Sequence, residues 1–354
     1  MSAHTRLLAD FAAGRTAALA RAISIVENHR AGFEVLLSTW HPRLGHARRI
    51  GVTGPPGAGK STLTTGLTRA WRAQGLTVGV IAVDPTSPFT GGALLGDRIR
   101  MEDVALDPGV YIRSLATRGS LGGLSAATRE TCDVLDAFGI DRILIETVGV
   151  GQSELDVART ADTSLVVLVP ESGDSIQTLK AGIMEIADVF TVNKADRPGA
   201  DRLRNEIEVM LGMRSGATMQ RVPAHHGVDL SRNNIAKQAR AAAAAGDVTR
   251  WIPPVLRTVA AKDEGIDELV GALDRHFRYL EESGTLRERR RTRLRDRVVE
   301  VVEAKVRQRL WTDAATNQWL EERLPELEAG SATPFAIADD LLARSADLLT
   351  RTSP

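Results

Sequence analysis

The chain has 354 residues, with 45 Lys plus Arg balanced by 45 Asp plus Glu, so no charge excess points to nucleic acid or a membrane surface as partner. A length of this order holds one large α/β domain with helical additions. The single cysteine, Cys132, excludes an intrachain disulfide and a cysteine-cluster metal site, and with no signal peptide or membrane-spanning apolar run legible a cytoplasmic protein is the simplest expectation.

Between residues 5 and 39, Leu7, Leu8, Phe11, Ala18, Leu19, Ala22, Ile23, Ile25 and Val26 fall at mostly helical spacings with charges between them. They predict two or three helices packed beside the domain that follows. Mixed charge favours a packed face over a membrane-surface helix. His41-Pro42 and Gly45 then mark a loop.

An apolar lead-in, Ile50–Thr53, runs into Gly54-Pro55-Pro56-Gly57-Ala58-Gly59-Lys60-Ser61-Thr62, and a helix-like run, Leu63–Ala73, follows. The pattern Gly54-x4-Gly59-Lys60-Ser61 between strand and helix is that of a phosphate-binding loop. Its glycines let successive N–H groups turn inward around phosphate oxygens, and the helix adds its positive end. Lys60 is placed for the β- and γ-phosphates and Ser61 for Mg²⁺. A plain glycine-rich turn is the bland alternative, and the complete pattern in its proper setting disfavours it.

Thr77–Val83 reads as a buried parallel strand stopping at Asp84-Pro85. The Pro- and Gly-rich stretch 86–101 carries Asp97, Arg98 and Arg100, which makes it either a switch near a γ-phosphate or an ordinary surface loop. Of the two acids, Asp84 is favoured because it closes a strand on the sheet's ligand-binding edge. Val110–Leu115 is a further strand, and Leu124–Phe138 a helix whose apolar face carries Cys132 as a small core residue rather than a nucleophile.

The run from Asp141 to Glu146, followed by glycines at 149 and 151, has the form of a buried strand ending in a Mg²⁺-side carboxylate, here Glu146. The Gly149 amide is then placed to sense a γ-phosphate. Ser164–Pro170 is another strand, with Gln177, Lys180 and Glu185 on or near the helix after it. Ala187–Val192 is the next, ending in Asn193-Lys194-Ala195-Asp196. A carboxylate at Asp196 accepts the N1–H and 2-amino group of guanine, a pair adenine does not offer. The Lys194 stem packs over the base and Asn193 ties this loop to the phosphate loop, so GTP is expected over ATP.

From Gly265 the chain reads as helices, first with Ile266, Leu269, Val270, Leu273 and Phe277 in step, then Leu294, Val298, Val299, Val302 and Val306. Seven arginines between Arg287 and Arg297 form a basic run, read as a solvated helix face because glutamates lie nearby and aromatics do not. Residues 328–335 are a loop before a final helix, Phe335–Leu349.

These stretches resemble the MeaB/ArgK/MMAA family, P-loop GTPases associated with methylmalonyl-CoA mutase. The likeness covers roughly residues 15–310 and rests on Gly54–Thr62, Val83–Met101, Glu146–Glu154, Gly173–Asp188 and Asn193–Asp196, of which the second and fourth are the most family-specific. It implies a doubly wound, mostly parallel α/β sheet, with an N-terminal helical extension (1–46), a GTPase domain (47–280) and a C-terminal helical dimerisation arm (281–354). It also implies that Lys60, Ser61, Asp84, Asp97 and Glu146 serve catalysis or Mg²⁺, and that 83–101, 146–154 (with Gly149 and Gln152) and 173–180 (with Asp174, Gln177 and Lys180) are three switches, Arg100 lying in the first. Such proteins are homodimers that gate adenosylcobalamin delivery to the mutase and protect it. Two departures stand out. The family's guanine-side Ser-Ala-x motif aligns with Val259-Ala260-Ala261, so a serine contact is replaced by backbone N–H groups, and 213–250 is longer than the family pattern.

Other classes fit less well. A metal-delivery GTPase needs a Cys or His site, yet His225-His226 is the only adjacent histidine pair. A signal-recognition GTPase needs a Met-rich domain, which six scattered methionines do not make. Kinase activity has been attached to ArgK-type relatives, but no protein-kinase motif set is present. A module that binds GTP without hydrolysing it stays open, with turnover as the discriminating measurement.

Overall fold

The computed structural model describes residues 3–84, 101–116, 126–147, 153–170, 184–214 and 251–344. Seven strands form one sheet: β1 (Arg48–Thr53), β2 (Val78–Asp84), β3 (Val110–Ala116), β4 (Arg142–Thr147), β5 (Thr163–Leu168), β6 (Val189–Val192) and β7 (Val255–Arg257). Their order is β3-β2-β4-β1-β5-β6-β7, and every pairing is parallel. The expected sheet is mostly parallel; the observed one is parallel throughout. Before it run α1 (Ala3–Ala12), α2 (Thr16–Glu27) and α3 (Phe33–Trp40), and between its strands run α4 (Lys60–Ala73), the short α5 (Glu102–Ala105), α6 (Ala126–Phe138), α7 (Ser153–Thr160), the single turn α8 (Met184–Ile186) and α9 (Ala200–Arg214). After β7 come α10 (Ile266–Glu282), α11 (Thr285–Thr312), α12 (Ala314–Glu328) and α13 (Pro334–Arg344).

Strand side chains alternate between faces, and here both faces are apolar because both are covered. Val78, Val80, Leu144, Leu165 and Val167 pack with Leu63, Leu67 and Trp71 of α4 and Leu269, Val270 and Leu273 of α10. Ile81, Val83, Ile143 and Ile145 point the other way, into a core shared with Leu7, Phe11, Leu19 and Ile23 of the first helices and Cys132 and Leu135 of α6. Cys132 is a buried free thiol, as expected of a core residue. Phe11 stacks on Trp40 at 4.2 Å between ring centroids and meets Phe138 edge-on at 5.0 Å. The N-terminal helices therefore complete one layer of the sheet's covering. Met1–Arg287 accordingly forms one compact unit and Glu288–Pro354 another.

The sheet edge away from the glycine loop is closed by aspartates that stand one residue before a strand. Asp141 accepts the Thr77 amide at 2.8 Å, Asp162 the Arg49 amide at 3.2 Å and Asp188 the Ser164 amide at 2.9 Å. Each acid satisfies an amide at or just before the start of a neighbouring strand. Register is thus tied at this edge, and the opposite edge, where β1, β4 and β6 end, is left for loops.

In the second unit, Asp313 caps α12 by accepting the Thr316 amide at 2.8 Å. Arg323 joins Glu326 and Asp340 at 3.0 and 3.1 Å, and Ile337 and Leu341 of α13 are buried. The expected stripe on α11 is present, but Leu294, Val298, Val299 and Val302 are exposed. Among the described residues no helix is long and apolar enough to cross a membrane.

Candidate nucleotide site

The Gly54–Lys60 loop leaves β1 and enters α4 at Lys60. Gly54 has φ +139°, and a Cβ there would collide with the Val167 carbonyl of β5. Gly59 has φ +86° and lies against the Asn193 side chain, 2.5 Å from where its Cβ would be. Glycine is therefore required at both positions by conformation and by space. The loop closes around its own lysine: the buried Lys60 ammonium donates to the Gly54 carbonyl at 2.7 Å and the Pro55 carbonyl at 3.1 Å.

Strand order brings the next group in. Because β4 lies beside β1, with Val52 paired to Glu146, the buried Glu146 carboxylate meets a residue 85 positions earlier in the chain. Ser61 Oγ donates to Glu146 Oε1 at 2.6 Å. Beneath them the Thr147 and Thr53 hydroxyls lie 3.4 Å apart. A hydroxyl and a carboxylate at the head of the loop form an oxygen donor set of the kind Mg²⁺ takes. No group of three His, Cys, Asp or Glu among the described residues offers an alternative metal centre. Asp84 ends β2, next to β4.

The base side is built on Asn193. Its Nδ2 donates to the Ala58 carbonyl at 2.8 Å, and its Oδ1 accepts from Thr258 Oγ1 at 3.2 Å and the Ala260 amide at 3.0 Å. One buried amide thus joins the phosphate loop, the end of β6 and the segment after β7. Lys194 sits in the left-handed region at φ +53° and reaches back to the Gly57 carbonyl at 2.8 Å. Asp196 is half-exposed, with Lys262 Nζ 3.4 Å from its Oδ2.

One expectation narrows here. Of Val259-Ala260-Ala261, the Val259 amide donates to the Glu264 carbonyl at 3.0 Å and the Ala260 amide to Asn193, so both are engaged inside the protein, while Ala261 is exposed. The Val259 side chain is buried among Val192, Ala195 and Phe190, which is why valine suits this position. Two residues were not anticipated, Thr258 and Lys262; a hydroxyl just before that triplet and a charge just after it were the available signals. Asp97, Arg100, Gly149, Gln152, Asp174, Gln177 and Lys180, and the stretch 215–250, lie outside the described residues.

Comparison with known proteins adds the following. Residues 19–315 match the sequence model of the family described as methylmalonyl Co-A mutase-associated GTPase MeaB. A Pyrococcus horikoshii protein bearing a GTPase name is 48% identical over 82% of each chain. The Escherichia coli GTPase ArgK is 33% identical over 91% of this chain and 90% of its own. The mitochondrial methylmalonic aciduria type A homolog of Mus musculus is 31% identical over 95% of this chain and 78% of its own. A crystal structure described as LAO/AO transport system kinase superposes with a TM-score of 0.64 at 26% identity, covering 97% of this chain and 98% of its own.

Proposed function

The chain belongs to the MeaB family of methylmalonyl-CoA mutase-associated GTPases, and from that premise we propose that it is a Mg²⁺-dependent GTPase that acts as chaperone to an adenosylcobalamin-dependent acyl-CoA mutase, methylmalonyl-CoA mutase first. In this reading it gates cofactor loading and protects the mutase from inactivation. The observation that carries the nucleotide half is the Ser61–Glu146 contact at 2.6 Å, made by the residue that follows Lys60, whose buried ammonium is held by the carbonyls of the glycine loop itself.

Lys60 exchanges two neutral carbonyl partners for β- and γ-phosphate oxygens, a stronger charge-assisted pairing. Mg²⁺ held by Ser61 and Glu146, with Asp84 and Asp97 as the other acids the sequence nominates, supplies further neutralisation of phosphate charge. Asp196 accepts the two guanine donors while the Lys194 stem covers the base. A nearby acid, from Glu146 and Asp97, orients the attacking water. No glutamine directly follows Gly149 and no arginine finger is assigned, so intrinsic turnover is slow and a partner accelerates it. Arg100, Gly149 and Gln152, then Asp174, Gln177 and Lys180, relay nucleotide state to that partner. The exposed stripe of Leu294, Val298, Val299 and Val302 on α11 supports a homodimer, since a second copy would cover it.

The test is GTP turnover with and without purified methylmalonyl-CoA mutase, using Lys60→Ala as blank. Stimulation by the mutase is expected. Turnover indifferent to the mutase would overturn the partner, and absence of turnover in both would leave a GTP-binding module.

A further inference from the structure

We infer that Lys262 is a positioning residue for base recognition, acting by holding the Asp196 carboxylate in place. The inference rests on the reading of Asp196 as the group that accepts the guanine donors.

Segment 257–262 is fastened to loop 192–196 along its length. The Thr258 amide donates to the Val192 carbonyl and the Ala195 amide to the Thr258 carbonyl, both at 3.0 Å, and Arg257 Nη2 reaches the Ala195 carbonyl at 3.2 Å. Those contacts fix the backbone of the loop and leave the Asp196 side chain to be placed by something else. The candidates on the facing segment are few. The Thr258 hydroxyl is engaged by Asn193 Oδ1 and by Thr191 Oγ1, Val259 is buried in an apolar cluster, and Ala260 and Ala261 carry no polar side-chain atom. Lys262, which ends the short 3-10 turn Ala260–Lys262, brings Nζ to 3.4 Å from Asp196 Oδ2.

The turn itself is anchored. The next residue, Asp263, accepts from Arg69 of α4 at 2.6 Å, and Gly265 starts α10. Lys262 therefore pairs with Asp196 from a fixed base rather than from a free loop. Chemically, a guanine edge needs both carboxylate oxygens in one plane, facing its two donors. A cation on the rim of one oxygen restricts rotation of the carboxylate and offsets the water it gives up when a base covers it. With both partners about half-exposed, the effect is modest and depends on salt.

Dissociation constants for GDP and IDP, which lacks the 2-amino group, test this for wild type, Lys262→Met, Lys262→Arg and Asp196→Ala, and for Lys262→Met combined with Asp196→Ala, at low and physiological salt. Lys262→Met should weaken GDP by about two- to five-fold at low salt, lower the preference for GDP over IDP, and lose most of its effect once Asp196 is alanine. Lys262→Arg should restore both quantities. An undiminished effect of Lys262→Met in the Asp196→Ala background, or no effect in the wild type, overturns the inference while the base reading stands. If Asp196→Ala itself leaves the preference for GDP over IDP unchanged, the base reading falls, and this inference with it.

Discussion

Glu146 and Asp107 show how differently two carboxylates can serve one fold. Glu146 is buried at the head of the glycine loop and bonded to Ser61. Glu146→Gln preserves the shape while removing the charge, so turnover should fall by about 100-fold or more, with GDP binding in the absence of Mg²⁺ little altered. Equal losses of turnover and of Mg²⁺-free GDP affinity would instead mark Glu146 as structural. Asp107, before β3, accepts two contacts at 3.0 Å from the Arg72 guanidinium and one at 2.7 Å from the Gly109 amide. The Arg72 bond foremost, then the Gly109 amide, hold its carboxyl below the usual range, against the opposing effect of burial. A carboxyl depressed in the native state stabilises the fold above its unfolded value and loses that contribution as pH falls through the native one. The melting-temperature gap between wild type and Asp107→Asn should therefore be full at neutral pH and close as pH drops below about 4. A gap that persists unchanged into that range would sink the assignment.

Among the elements, α1 and α2 are legible from spacing, because Leu7, Phe11, Leu19 and Ile23 repeat with the helical period and all are buried, whereas the pattern leaves open whether a third helix follows. What spacing could not say is that they share one core with α6 and with Ile81, Val83, Leu115, Ile143 and Ile145 of the sheet. Phe11→Ala should therefore destabilise the whole first unit by about 3–5 kcal/mol in chemical denaturation, with a single transition and no change in nucleotide affinity for the protein that remains folded. Loss of the helices alone, in an early separate transition, would show them to be an appendage. On α11 the same periodic reading located the apolar positions correctly, yet Leu294 and Val298 remain 54% and 63% exposed. Periodicity reports which residues line a face; it carries no information about whether anything in the same chain covers it. Helix α12 falls within the stretch expected to be helical, but its weak apolar pattern gives no bounds, although Asp313 followed by Thr316 at its start is a usable cap.

For the molecule as a whole, the exposed α11 stripe and the family assignment lead to one prediction about assembly. If a second copy covers the stripe, Val298→Glu with Val302→Glu should shift the protein from dimer to monomer in light scattering, since burying two new carboxylates at an apolar interface is strongly unfavourable. A dimer unchanged by both would place the interface elsewhere. The sequence by itself determined what is local: the loop from Gly54 to Ser61, the strand ending at Glu146, the Asn193–Asp196 run and the parallel α/β class. Each of these is set by backbone conformations and side-chain chemistry confined to a few consecutive residues. Tertiary structure alone decided which of them meet. Glu146 reaches Ser61 because β4 lies between β1 and β2. Asn193 gathers Ala58, Thr258 and Ala260, and Lys262 faces Asp196, because β5, β6 and β7 follow one another across the sheet. The aspartates before β4, β5 and β6 acquire their role as edge closures only once a neighbouring strand presents an amide. Such contacts join residues far apart in the chain, and strand order, which no local pattern encodes, is what brings them within hydrogen-bonding distance.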